Sequence, residues 1–192
     1  MAELKQPDEK PSFEKKKILE GEKIRLEKCK KAHMEVLYTL INSPKVHSRL
    51  TNQIKSKEEF KTYFRFLHNQ WEMNRDYSYT ILLNRENLVL GQISLYNLHF
   101  IHDRGEVGLW VGYPYWRHGY GLEALKLILE YGFSDLHLNR IQAHIFTDNI
   151  ASIKLFEKAG FQKEGVRRQY VFKNTQYLDV FSYALLKEDF EF

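Results

Sequence analysis

The stretch YWRHGYGLEALKLILEYGF, Tyr115–Phe133, sets two glycines two residues apart directly before a long run of apolar residues at helical spacing. The pair stands where a strand gives way to a helix. Arg117 and His118 come just before Gly119, and Glu123 falls in the turn that follows. The first turn of a helix leaves its N–H groups unpaired and carries partial positive charge. Gly119 and Gly121 lack a Cβ, so a bulky anion can close on those N–H groups while Arg117 or His118 adds charge outside. A pyrophosphate is the natural guest. Taken alone, the pattern fits an ordinary tight turn equally well. It lacks the third glycine of a dinucleotide fingerprint, and no Gly-Lys-Ser/Thr of a P-loop follows.

The rest of the chain gives this junction a setting. Residues 1–16 hold two prolines, many charges and no periodicity, and are expected to be a flexible basic tail. KKILEGEKIRLEKC alternates apolar and polar residues around Gly21, which predicts a strand or a short hairpin arm. KAHMEVLYTLINSP repeats apolar residues at helical spacing, with Pro44 ending that helix. SKEEFKTYFRFLHNQWEMN opens with a capping box, Ser56 to Glu59, and carries its apolar face through Phe60, Phe64, Leu67 and Trp71. Strands follow over YSYTILLN, LVLGQISLYNL and GEVGLWVGY, the first two joined by a turn at Asn84–Asn87. After the glycine pair and its helix come the strand NRIQAHIFT and the helix NIASIKLFEKAG, closed by Gly160. The strands VRRQYVFK and YLDVFSYALL end the chain across the turn NTQ. The order describes one α/β domain, 17–192, with a sheet of mixed strand direction.

Composition excludes some classes of function. Of 192 residues, 43% are hydrophobic and 15% aromatic, enough for a buried core. The net charge of +4 is weighted towards a lysine-rich N-terminal region, which tolerates acidic partners without naming one. Cys29 is the only cysteine, so neither an intramolecular disulfide nor a thiolate metal cluster can form, and no metal is expected. No apolar run approaches ~18 residues and no signal-type segment opens the chain, so a cytoplasmic protein without a membrane partner is expected.

Four phrases taken in order, YWRHGYGLEALKLI, TDNIASIKLFEKAGF, KEGVRRQY and YLDVFSYALL, resemble the GNAT acetyltransferases. More narrowly, they are similar to the RimJ/RimL branch that acetylates ribosomal-protein N-termini. The resemblance runs from about Ile18 to Phe190. It implies the acyl-CoA N-acyltransferase fold: a mostly antiparallel sheet of about seven strands, helices on both faces, and a splayed central parallel pair. The pantetheine arm of acetyl-CoA would lie in that splay against backbone groups of Leu109, Trp110 and Val111. The loop Arg117, His118, Gly119, Tyr120, Gly121 and Leu122 would wrap the pyrophosphate, and Asn149 and Ser152 would flank the sulfur. One place departs from the family: Trp116 stands where a Gln or Arg is usual.

The implied reaction is direct transfer of an acetyl group to a primary amine in a ternary complex, without a covalent enzyme intermediate. Val111 N–H is the expected oxyanion donor, and Ser152 the expected proton donor to the thiolate. Strand alternation puts Glu106, Gly108 and Trp110 on one face, making Glu106 a candidate base with room above Gly108 for a substrate. Some relatives place a Glu where this chain has Val171, so here another base or water does that work. His99, His102 and His144 are alternative bases, His144 reading more readily as a satisfied histidine. Tyr170, Tyr177 and Tyr183 are further donors. By resemblance the acceptor site lies between the early helices and the final hairpin, with NSPKVHSRLTN and KNTQ at its mouth. Lys45, His47, Arg49 and Lys173 make that mouth basic or polar. A protein or peptide N-terminus is the expected acceptor, ahead of a small amine such as an antibiotic, an amino-acid derivative or a polyamine. A CoA-binding module without catalysis, and an RNA- or ribosome-binding protein working through the basic tail, are the competing classes. Nucleic acid is not the expected partner, and a homodimer is left open.

Overall fold

The computed structural model describes residues 15–51, 54 and 56–191. The elements follow in the order β1 (Ile18–Glu20), β2 (Ile24–Lys28), α1 (Met34–Ile41), α2 (Pro44–His47), α3 (Lys57–Glu72), β3 (Tyr77–Leu83), β4 (Leu88–His99), β5 (Arg104–Val111), α4 (Tyr120–Glu130), β6 (Arg140–Phe146), α5 (Ile150–Lys158), β7 (Gln162–Lys173) and β8 (Gln176–Leu186). One eight-stranded sheet holds every strand, in the order β1-β2-β3-β4-β5-β6-β8-β7. All pairings are antiparallel except β5 with β6. The eighth strand beyond the expected seven comes from the Gly21 region. It folds as a hairpin, β1 on β2, because Gly21 turns the chain back to bond Ile24.

Period-two patterning divides the residues between the two faces of this sheet. One face carries Ile24, Leu26, Ile81, Ile93, Leu95, Val107, Ile141 and Ile145. They pack under Leu125, Ile128 and Leu129 of α4, all of these side chains at least 95% buried. The other face is covered by α1 and α3, whose Leu37, Ile41, Phe60 and Phe64 close over Cys29, Leu82 and Val89. Ser56 caps α3 by accepting from the Glu59 amide at 3.1 Å, as the capping box predicts.

One local expectation changes. Pro44 does not end α1, which stops at Ile41; it opens the one-turn α2, where its missing N–H costs nothing. Residues 1–14 of the expected tail lie outside the described residues. Lys15 and Lys16 of that tail are tied to the domain: Lys15 Nζ donates to the Trp71 and Glu72 carbonyls at 3.2 Å, and Lys16 pairs with Asp135 at 2.7 Å.

Candidate active site

The middle of the sheet is left unmade. β5 and β6 pair only from Arg104–Arg140 to Glu106–Gln142. Beyond that, Val107–Val111 stays bonded to β4 and Ala143–Phe146 to β8, with no pairing across the gap. The result is a wedge that opens towards the C-terminal ends of both strands. Backbone groups in a strand point alternately to either side. The Gly112 amide donates to Leu90 O at 2.7 Å, so the next residue back faces the other way. Leu109 and Val111 therefore present N–H and C=O to the wedge, while Trp110, paired with Gln92, presents its own to β4. Of the three backbone units expected to hold an extended ligand, two face the opening. The Trp116 indole donates to Val111 O at 2.6 Å, so that carbonyl is taken while the Val111 amide has no acceptor among the described residues. The residue that departs from the family pattern thus closes the wide end of the wedge.

Next to this opening lies the glycine pair. Arg117 and Gly119 both take left-handed conformations, φ 65° and 86°, and alternation of this kind turns successive amides towards one concavity. Among the described residues, the N–H groups of Arg117, His118, Gly119, Tyr120 and Gly121 have no protein acceptor. Those of Leu122 and Glu123 both donate to Gly119 O at 3.1 Å. The Leu122 amide is therefore engaged within the helix. A Cβ on Gly121 would lie 3.6 Å from Leu109 Cδ1 and 3.8 Å from Val111 Cγ2, so the first turn of α4 stands directly over the wedge. Glu123 serves another purpose: its Oε1 accepts from the Lys23 and Ile24 amides at 2.8 and 3.2 Å and docks the β1–β2 hairpin onto α4. Beside the loop is a cleft of about 630 Å³ whose lining includes Lys45, Arg49, Tyr113, Trp116 and Arg117.

The opposite face of the wedge carries Glu106, Gln142 and His144. Parallel register sends paired side chains to the same side, so Glu106 and Gln142 meet, Oε1 to Nε2 at 3.1 Å. Continuing that register sets His144 beside Gly108. His144 Nε2 lies 3.7 Å from Glu106 Oε2, beyond hydrogen-bond reach, and both ring nitrogens are buried without a protein partner. Burial holds this imidazole below its ordinary pKa, the Arg167 charge adds to that, and the Glu106 carboxylate opposes it. The satisfied histidine expected from sequence is not found. Nor is the open space above Gly108, where a Cβ would lie 3.3 Å from the Tyr96 ring.

On the first face, Asn149 caps α5 by accepting from the Ser152 amide at 3.3 Å. Ser152 is partly buried, and its hydroxyl has no partner among the described residues. Gly121 is within van der Waals reach of Leu155 of the same helix, so α5 and α4 flank the wedge together. The other expected bases and donors scatter. His99 pairs with Arg104 at the far end of β5 and stacks on His102, Tyr177 is 64% exposed, and buried Tyr183 donates to Glu157 at 2.9 Å. Lys173 is not a cation at the acceptor mouth. It is 7% exposed and its Nζ donates to the carbonyls of His47, Ser48 and Leu50.

A family model described as an acetyltransferase (GNAT) domain matches residues 23–162. An uncharacterized N-acetyltransferase of Bacillus subtilis, YoaA, is 42% identical over 99 residues, which are 52% of this chain and 56% of that protein. The matches to two further Bacillus N-acetyltransferases span 63% and 65% of those proteins, so the chain aligns with less than two thirds of these curated relatives. Among solved structures, the apo form of RimL, a ribosomal L7/L12 alpha-N-protein acetyltransferase, superposes with a TM-score of 0.81 at 20% identity. That match covers 88% of this chain and 93% of RimL. A Vibrio cholerae spermidine N-acetyltransferase in complex with CoA and spermine gives 0.78 at 20% identity, covering 87% and 97%. At such identities the likeness shows the fold alone.

Proposed function

We propose that this chain, which belongs to the GNAT acetyltransferase family, moves an acetyl group from acetyl-CoA to a primary amine, and that the amine is the N-terminus of a protein or peptide. The observation that carries this reading is the wedge between β5 and β6 with the five unpaired amides of the glycine loop at its mouth. An extended amide-bearing arm would complete the ladder against Leu109 and Val111, and a pyrophosphate would occupy the loop. A group with both features, such as coenzyme A, fits this donor set.

In the transfer, the Val111 N–H is the preorganised donor to the carbonyl oxygen as it gains charge, and Leu109 holds the arm. Ser152, on the α4–α5 side, gives a proton to the departing thiolate. The chain's other work is positional: holding both substrates in line removes most of the entropic cost of a bimolecular step.

The acceptor assignment rests on charge. Lys45, Arg49 and Arg117 line the cleft beside the loop, and Lys45 lies 3.5 Å over the Tyr113 ring. A polycation is repelled by such a rim, whereas a peptide that carries one amine and some carboxylates is not. The test is a mass-detected acetylation screen that offers acetyl-CoA with peptides of varied N-termini, amino-acid derivatives and polyamines. Acetylated peptide α-amines are expected. Turnover of spermidine alone overturns the acceptor assignment, and CoA binding without any turnover overturns the enzyme reading in favour of a binding module.

A further inference from the structure

We infer that His144 is the group that takes the proton from the attacking amine, and that Glu106 stabilises the imidazolium this creates; the inference rests on the acetyl-transfer reading above. Buried polar atoms in folded proteins almost always have hydrogen-bond partners. The His144 side chain is 10% exposed, yet neither ring nitrogen has one among the described residues. An imidazole held this way is one whose partner is water or a substrate.

Its surroundings fit that use. Glu106 is fixed by Gln142 through one carboxylate oxygen, which leaves the other facing His144 Nε2 at 3.7 Å. The final hairpin roofs the pair. Between Arg167↔Val180 and Val171↔Leu178, β7 has three residues where β8 has only Asp179, an irregularity of the kind concentrated near active sites. Gln169 sits in this bulge at φ 52° and donates its amide to Asp179 at 2.7 Å. The bulge brings Tyr170 over His144, ring centroids 5.6 Å apart, and Arg167 donates to the Tyr170 hydroxyl at 3.1 Å. Tyr170 is 52% exposed, so the ring that stands against the imidazole itself reaches solvent.

Direction supports the assignment too. The α4 and α5 termini flank one face of the wedge and His144 lies on the other. An amine arriving past His144 therefore meets the carbonyl carbon on the side away from Ser152. The nitrogen lone pair forms the N–C bond, and the carbonyl electrons move to an oxygen held by the Val111 amide. The proton on the now cationic nitrogen passes to the Nε2 lone pair of His144, directly or through one water. The C–S bond then breaks, Ser152 protonates the thiolate and is reprotonated from water, and the imidazolium returns its proton to solvent.

The groups facing the imidazole are Glu106 on β5, Arg167 and Tyr170 on β7, Ser182 opposite on β8, and Tyr96 beside Glu106 on β4. Burial and Arg167 keep the ring neutral at pH 7, the form a base needs.

The test compares wild type, His144→Gln and Glu106→Gln in kcat against pH, with CoA binding measured alongside. His144→Gln is expected to lower kcat about 10²-fold or more, to leave CoA affinity unchanged, and to erase the acidic limb of the profile. Glu106→Gln is expected to keep that limb and move it to lower pH, because the carboxylate that raises the imidazole pKa is gone. An unchanged acidic limb in His144→Gln overturns the inference while acetyl transfer by the wild type stands. A wild type that acetylates nothing overturns both. Should His144→Gln fail to fold, the imidazole of the wild type is titrated by NMR: a midpoint that matches the kinetic limb, and moves with it in Glu106→Gln, supports the assignment, and a mismatch removes it.

Discussion

Lys173 Nζ lies 2.6 Å from the carbonyl oxygen of Leu50, 123 residues earlier in the chain, and reaches Ser48 O at 2.8 Å and His47 O at 3.3 Å. The end of a one-turn helix leaves carbonyls short of N–H donors, and the buried Lys173 donates to three carbonyls in and just after it. Arg49 braces the same segment through Asp148 at 3.2 Å. Lys173→Met keeps the stem and deletes the donors. It is expected to cost about 1–3 kcal/mol, seen as a drop in Tm, and to raise KM for the amine more than for acetyl-CoA. An unchanged Tm would show that the α2 segment holds its place without this contact.

Gly119 has φ 86° and open space where a Cβ would go. Gly119→Val therefore meets strain and no clash, about 1–2 kcal/mol against the left-handed conformation. The altered loop is expected to weaken coenzyme A binding at least about tenfold, or 1.4 kcal/mol, with the fold retained. Calorimetric titration with coenzyme A checks this, and unchanged affinity refutes the anion-cradle assignment.

Ser152→Ala removes a hydroxyl that has no partner within the described protein while keeping the amide that Asn149 caps. Turnover is expected to fall about 10²-fold with coenzyme A affinity unchanged. Equal rates would mean that water protonates the thiolate.

Cys29 is 3% exposed, and burial pushes its thiol pKa up to about 12 against a donated bond from Thr80. The thiolate is the reactive form, so iodoacetamide at pH 8 is expected to leave the native protein unlabelled and to modify it fully once unfolded. The sign for stability follows from the raised pKa. The thiol's contribution is complete below the unfolded value near 9 and is lost as pH climbs towards 12. Fast labelling of the native protein would contradict the packing of α1 over β2.

Elements that announce themselves locally were legible in the sequence. The apolar face of α3, its Ser56 cap, the turn at Asn84–Asn87 and the junction at Gly119 all depend on residues within a few positions of one another. The eighth strand was half visible, because Gly21 could end a strand or turn one back. The wedge could not be read from periodicity, since it consists of ladder bonds that are not made and reached the sequence reading only through family resemblance. Lys173 misled for a related reason: a lysine near a polar turn reads as exposed, and its three acceptors come from a segment far away in the chain. His144 looked satisfied because nothing in NRIQAHIFT shows that Glu106 arrives from β5 and stops short of hydrogen-bond distance.

The Glu123 carboxylate, by accepting from the Lys23 and Ile24 amides, ties the extreme edge of the sheet to the helix whose opening turn forms the anion loop. That loop's stiffness is thus borrowed from residues nearly a hundred positions upstream. A proteolytic cut or a fusion joint placed at Gly21–Lys23 would loosen the first turn of α4 through Glu123 and so be felt at Gly119, which caps that turn.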